Sequence, residues 1–386
     1  MKKKIVFIGL SGGVDSAVSA TLLKKQGFEV VGVFMRTWHP DFLPCNEEEE
    51  RLDAMRVATH LNIPFLTFDF EKVYKKEVAD YMIAEYKAGR TPNPDVMCNK
   101  EVKFGAFLKK ALSMGADYVA TGHYARIDER LEIKVKQKNK KLKSKIFNLK
   151  SGLDPAKDQS YFLWTLNQKQ LSKILFPIGH LKKRDVRVLA KKYKLPVAEK
   201  KDSQGICFLG EVDLKEFLKH YIKEKKGKVL LTETKEIVGH HMGVVFSTLG
   251  ERRGFTITKK TPNDKPYYVI GKDIKKNILY VSQNKNLKDF GAFALGDKKG
   301  QGTHDAKNLS NFYLQIKNVN WIGGLPKEGK GYTAQIRYHG EFLSCQVICG
   351  RPSSAKVFFE KSVLVASGQS IVLYDKDVVL GGGIVV

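Results

Sequence analysis

The feature that most constrains this chain is the alternation of short apolar runs with amphipathic stretches over its first two hundred residues. Residues 3–10, 28–35, 64–70 and 118–121 are short and rich in Val, Ile, Phe and Leu, as strands buried on both faces are. Between them, residues 16–26, 47–61, 72–88 and 104–114 read as helices, the first with Ala17, Val18, Ala20, Leu22 and Leu23 and a stop at Gly27. Strands separated by helices of this length pair in parallel, because the chain must cross back over the sheet before the next strand. The pattern predicts an α/β fold with a doubly wound parallel sheet. Helical signals return over 160–193, and the unit is expected to close near Gly210.

The pattern then changes twice. Within the first unit, residues 124–149 alternate in strand fashion around a lysine-rich tip, which predicts an excursion hairpin. A small central unit over 211–281 mixes one helix, 212–225, with short strands. The rest is strands only, at 312–319, 332–338, 342–348, 356–359, 370–374 and 378–380, spaced as in a small β-barrel. Three domains are therefore expected, 1–210, 211–281 and 282–386.

The first strand meets the first helix through Ser11-Gly12-Gly13-Val14-Asp15-Ser16. Two glycines let successive backbone N–H groups converge on an anion, and the helix start adds its dipole, so a phosphate fits this turn. No lysine follows as in a Walker loop, so γ-phosphate chemistry is not implied. The formal charge of +26 points to a polyanionic partner. No apolar run approaches the ~20 residues a membrane span needs, so no membrane association is expected. Residues 5–10 run into a glycine turn and a helix rather than a cleavage site, which makes them a first strand and the cytoplasm the expected compartment.

Five cysteines, an odd number at irregular spacing, form no disulfide framework and are read one by one. Cys98 closes a proline-stiffened loop, residues 89–100, ahead of the helix expected at Phe104. Near that helix start and Lys100 and Lys103 it is expected to ionise easily. Asp95, three residues earlier, could move protons but would also oppose a thiolate, so geometry decides its role. Cys207 lies in a glycine-bounded loop, 200–210, where it can meet Cys98 and exchange sulfur or form a transient disulfide. Cys45, Cys345 and Cys349 read as structural. No histidine is spaced for zinc, and no bound metal or organic cofactor is expected.

The glycine turn resembles the PP-loop of the ATP pyrophosphatase superfamily, which cleaves ATP to AMP and pyrophosphate. Adding the two cysteine loops, the runs 120–126 and 157–164 and the terminal 380–383, the whole chain resembles the tRNA-specific 2-thiouridylase family. The resemblance implies that the C2 carbonyl of the wobble uridine, position 34, is adenylated with ATP and Mg²⁺ and then receives sulfur from a cysteine persulfide. It makes Cys98 the nucleophile, Cys207 the persulfide carrier and Asp95 their helper. ATP contacts carry over to Gly9, Leu10, Ser11, Gly12, Gly13, Val14, Asp15, Ser16, Met35 and Gly122. Contacts to tRNA carry over to Asn93, Pro94, Asp95, His123, Lys157, Asp158, Gln159, Arg337, Tyr338 and Gln369. The implied partners are the anticodon arms of Lys, Glu and Gln tRNAs and a persulfide donor or relay protein. The alternatives are another PP-loop adenylating synthetase, which needs an amine site instead of paired thiols, and a non-catalytic tRNA-binding protein. Two segments, 247–254 and 365–369, depart from the family's usual reading.

Overall fold

A computed structural model describes residues 3–136, 140–202, 205, 207–210, 212–258, 264–284, 312–350 and 353–386, with the side chains of 132–136 and 140–144 left aside. The tip of the lysine-rich hairpin and the start expected for the third domain thus lie partly outside the described residues.

The first unit is a five-stranded sheet in the order Phe65–Asp69, Glu29–Arg36, Ile5–Gly9, Tyr118–Ala120, Ile174–Leu175, every pair parallel. The two-residue last strand was hidden in the sequence inside an apparently helical stretch. Because side chains alternate across a strand, Val6 and Ile8 face one layer of helices and Phe7 the other. Helices Val14–Lys25, Glu47–His60 and Lys183–Lys192 cover the first face; Phe104 and Phe107, almost fully buried, pack on the second. Burial of each such ring contributes about 1.5–3 kcal/mol. The chain moves outward from strand Ile5–Gly9 in one direction, then returns to build Tyr118–Ala120 on its other side. That reversal opens a crevice at the carboxyl ends of these two strands, the usual ligand position in such sheets.

The central unit is a five-stranded sheet in the order Phe255–Ile257, Ile237–His241, Gly227–Leu231, Ile278–Ser282, Tyr268–Asp273. Its helix, Leu214–Lys219, is shorter than the sequence suggests and is capped by Asp213, which accepts from the N–H groups of Lys215 and Glu216. The third unit is a six-stranded barrel, closed by pairing of its first strand, Phe312–Trp321, with its last, Val378–Val385. The excursion hairpin, Ala125–Lys136 with Lys140–Ser151, leaves the first unit and joins the outside of the barrel through Lys150 and Val378. Asp377 anchors it, taking ion pairs from Lys150 and Arg126 at 3.0 Å.

Candidate active site

Residues 94–113 form one continuous helical run, with π-helical turns over Cys98–Phe107. Asn93 caps it, its Oδ1 accepting from Val96 N at 3.1 Å, and Pro94 takes the first position, where a missing N–H costs nothing. Cys98 is therefore inside the helix and fully buried, not in a loop before a helix starting at Phe104. The chain reaches it a second time through the turn at 207–210. Cys207 N donates to Asp95 Oδ1 at 2.9 Å, and Tyr74 donates its hydroxyl to Cys207 O at 2.7 Å. These two bonds seat the second cysteine over the first, with Sγ–Sγ 3.5 Å.

The expected ionisation of the pair is reversed. Burial pushes the Cys98 thiol well up, and its S–H donates to Cys207. Cys207 is brought down to about 7, first by that hydrogen bond, then, against its own burial, by the Lys103 ammonium. Lys100 takes no part: it is exposed and pairs with Glu101 at 2.7 Å. The carboxyl of Asp95 is raised by burial, although the Cys207 N–H and Lys103 partly offset this.

Lys103 also lies 3.5 Å from His123 Nε2, whose Nδ1 is 2.7 Å from Thr121 Oγ1. Burial and then Lys103 hold the His123 imidazole well below its ordinary range, so it is neutral. With Lys103 donating to Nε2, the ring proton sits on Nδ1 and is given to Thr121.

His123 belongs to the loop that meets the glycine turn across the crevice. A Cβ on Gly122 would lie 2.8 Å from Ser16 N, so only glycine lets this loop close on the helix start. Gly12 adopts φ +70°, and its missing Cβ would fall 2.5 Å from Glu50 O. Ser11 N donates to Ser16 Oγ at 3.2 Å, and that hydroxyl donates to Gly13 O at 3.0 Å. Met35 rests on Gly9, whose added Cβ would meet its Cε at 2.8 Å. This narrow cradle of backbone at a helix start suits a polyphosphate. Among the described residues no group of three or more His, Cys, Asp or Glu is arranged to hold a metal ion.

Tyr124, Lys183, Arg187 and Asp202 had been given no role from the sequence. Asp15 accepts from Tyr124 OH at 2.8 Å and from Lys183 Nζ at 2.8 and 2.9 Å. Lys183 bridges on to Asp202 at 2.8 Å, which also receives Lys157 at 2.7 Å and Arg187. Burial alone would raise the Asp202 carboxyl, but hydrogen bonds from Lys157 and Lys183 hold it far below its usual value. An ionic chain thus ties the glycine cradle to the segment carrying Cys207. Of these groups and Lys103, only Asp202 and Lys103 stood in segments that the cysteines had singled out.

The remaining candidates are placed as follows. Asp158 accepts from the N–H groups of Gly152 and Ser160, and Gln159 bonds Tyr124 N through Oε1 at 3.0 Å. Tyr338, from the barrel, meets Phe162 at a tilt of 44° with centroids 4.4 Å apart; burial, then the charges of Asp158 and Asp95, push its hydroxyl up to about 12. Arg337 is exposed. Gln369 Nε2 donates to Thr91 O at 3.2 Å, and Thr91 N donates to Ser367 O at 2.8 Å. From the other side, Lys272 Nζ donates to Gly89 O at 2.9 Å and Ser247 O at 2.8 Å, and the hydroxyls of Thr248 and Thr91 are 3.4 Å apart. The two segments that depart from the family pattern therefore both close on the strap leading to Asp95 and Cys98. Cys345 is in the barrel core and Cys349 half-buried, whereas Cys45 is exposed and does not pack as a structural thiol.

A glycine cradle at the sheet's switch point, a thiol pair beside it and two β units gripping the intervening strap define a three-part α/β protein of the nucleotide-binding, thiol-bearing class. Residues 4–211 match the tRNA methyl transferase HUP domain, 215–283 the tRNA methyl transferase PRC-barrel domain, and 312–385 the Aminomethyltransferase beta-barrel domain. The chain is 41% identical over 391 residues to the tRNA-specific 2-thiouridylase MnmA of Nitrosomonas europaea, covering 100% of this chain and 99% of that protein. It is 43% identical over 382 residues to the protein of the same name from Geobacillus thermodenitrificans, covering 98% and 93%. The chain belongs to the tRNA-specific 2-thiouridylase family.

Proposed function

We propose that this chain performs the tRNA 2-thiolation for which its relatives are named, with Cys98, Cys207 and Asp95 as the sulfur-handling centre and the Ser11–Ser16 turn as the ATP site. The observation that carries this reading is the 3.5 Å approach of the two sulfur atoms beside a loop, 121–123, that also closes the nucleotide cradle.

A wobble uridine, turned out of its stack, presents its C2 carbonyl to the crevice. Its O2 attacks the α-phosphate of ATP; the phosphoanhydride bond breaks and pyrophosphate leaves along the cradle. Mg²⁺ bound with the triphosphate would neutralise the leaving charge. Cys207 thiolate has taken a sulfane sulfur from a donor persulfide, whose own cysteine departs as thiolate. The terminal persulfide sulfur attacks C2 and AMP leaves with the former carbonyl oxygen. Cys98 then attacks Cys207 Sγ, losing its proton to Asp95 or water, so that the S–S bond to the transferred sulfur breaks and a Cys98–Cys207 disulfide forms. A cellular dithiol supplies two electrons to reset it. If Cys98 acts first, hydrosulfide is released and attacks C2, with the same overall balance.

The barrel face bearing Arg337 and Tyr338, together with Asn93, Pro94, Asp95, His123, Lys157, Asp158, Gln159 and Gln369, would receive the anticodon arm. The substrates would be Lys, Glu and Gln tRNAs, in the cytoplasm. The domain limits near 210 and 281 belong to the same reading. It is tested by nucleoside mass spectrometry of tRNA incubated with the protein, ATP and a persulfide donor. Product 2-thiouridine is expected, with none from Cys207→Ser; full thiolation by that variant overturns the assignment.

A further inference from the structure

We infer that Lys103 is a catalytic residue: its ammonium holds the sulfur anion on Cys207, first as thiolate and then as persulfide. This rests on the reading of Cys207 as sulfur carrier and adds the group that makes such a carrier workable in a closed site.

An anionic sulfur in a buried position needs a counter-charge, because desolvation favours the neutral thiol. The groups facing Cys207 are few. Cys98 offers one S–H, Asp95 is a carboxylate and opposes a second anion, Tyr74 keeps its proton because burial raises it far up, and His123 is neutral. Among the described residues facing Cys207, Lys103 is the cation, and its charge favours the Cys207 anion. Its position follows from the helix. Asp95, Cys98 and Lys103 stand on one helical run, and the π-helical turns beginning at Cys98 carry five residues rather than four to the next hydrogen-bonded level. Five positions beyond Cys98, Lys103 returns to the sulfur side instead of rotating away.

The surroundings fit a cation held in place. The ammonium stands 5.6 Å from the centroid of the Phe208 ring, the residue after Cys207, and donates to His123 Nε2. Burial alone would push Lys103 down, but the Cys207 anion reverses this and keeps it protonated. The pair is therefore mutually dependent. During loading the donor's S–S bond breaks and a Cys207 S–S bond forms, with one negative charge on this chain's sulfur before and after. A fixed ammonium serves both states without moving. When the transferred sulfur becomes neutral thiocarbonyl and Cys207 ends in a disulfide, the counter-ion is lost and Lys103 is left with Asp95.

The test follows Cys207 ionisation by iodoacetamide labelling at varied pH, with the Cys207 peptide quantified by mass spectrometry in the full-length protein. Wild type should reach half-maximal labelling well below the ~8.5 of a free thiol. Lys103→Gln should move that midpoint up by at least one unit, and Lys103→Arg should restore most of it. Sulfur transfer should fall at least ~10-fold in Lys103→Gln, matching the lost thiolate fraction, and Lys103→Arg should recover most of it. An unmoved midpoint in folded Lys103→Gln overturns the inference. So does a wild-type midpoint at or above 8.5, which needs no variant. Thiolation retained by Cys207→Ser instead overturns the underlying reading, so the two failures are separable.

Discussion

Cys98 and Cys207, 109 positions apart in the chain, meet with their sulfur atoms 3.5 Å from one another, and the backbone N–H of one is held by the carboxylate three residues before the other. The contact is short enough for sulfur exchange yet is not a bond, so the pair is stored as a thiol donor and a thiol acceptor. Asp95 serves geometry here: it fixes the approach of the loop that carries Cys207.

Oxidation should pair these two cysteines. Their sulfurs need move only from 3.5 Å to the ~2.05 Å of a disulfide. Treatment with a mild oxidant is expected to yield one cross-linked peptide, Cys98 with Cys207, in non-reducing peptide mapping. Cys45, the exposed thiol, should remain alkylatable. Predominant pairing of Cys207 with any other cysteine contradicts the geometry.

Persulfide loading should rise with pH and level off once Cys207 is ionised, that is, above about 7. The sign for stability follows from the same depression. The stabilising contribution of this thiol is fully present above its unfolded value of ~8.5 and is lost as pH falls through about 7. Asp95→Asn removes a charge that opposes the thiolate while keeping an oxygen to accept from Cys207 N. The labelling midpoint of Cys207 should therefore shift down, even as thiolation drops by roughly 100-fold through the loss of the proton acceptor. An upward shift would show that the Asp95 carboxylate is not charged beside Cys207.

Gly122→Ala should weaken ATP binding at least ~10-fold, since its Cβ would lie 2.8 Å from Ser16 N and 2.9 Å from Asp15 C, both backbone atoms with little freedom to retreat. Gly331→Ala is the control: a Cβ there meets nothing within 4 Å. Isothermal titration with ATP distinguishes them. Equal affinity for both variants would remove loop 121–123 from the nucleotide site.

Lys272→Met should loosen the strap over 89–93. The variant leaves Gly89 O and Ser247 O without their shared donor, a cost of about 1–3 kcal/mol for each buried carbonyl left unpaired. Thermal unfolding should shift down by several degrees, and protease cleavage near Gly89 should accelerate. Because burial brings the Lys272 ammonium down to about 8, wild-type stability should gain from raising pH between about 8 and the unfolded value of ~10.4. The methionine variant should lack that gain, and a shared pH profile would place the lysine outside the clamp.

Much of this protein was legible before folding. Periodicity in residues 3–121 announced the parallel sheet, because side-chain alternation and helix spacing are local properties of the chain. The glycine turn Ser11–Ser16 at a helix start was legible too, because two glycines and a flanking serine set its backbone locally. The barrel strands were legible for the same reason, and the resemblance supplied the family to which the matches assign the chain. The helix start was misread because Asn93 and Pro94, a capping residue and a first-turn proline, lay inside what looked like a stiff loop.

Tertiary structure alone decided which sulfur is the anion. From sequence, Cys98 had two nearby lysines and a helix start; in the fold it is fully buried and protonated, while Cys207 accepts its hydrogen bond and feels the Lys103 charge. Ionisation depends on desolvation and on charges within a few ångströms, and those neighbours come from remote segments. The same holds for Asp15, Lys183 and Asp202, charges spread over nearly half the chain and gathered within hydrogen-bonding reach. Local pattern determined the elements and the glycine turn; only their packing brought the charges together.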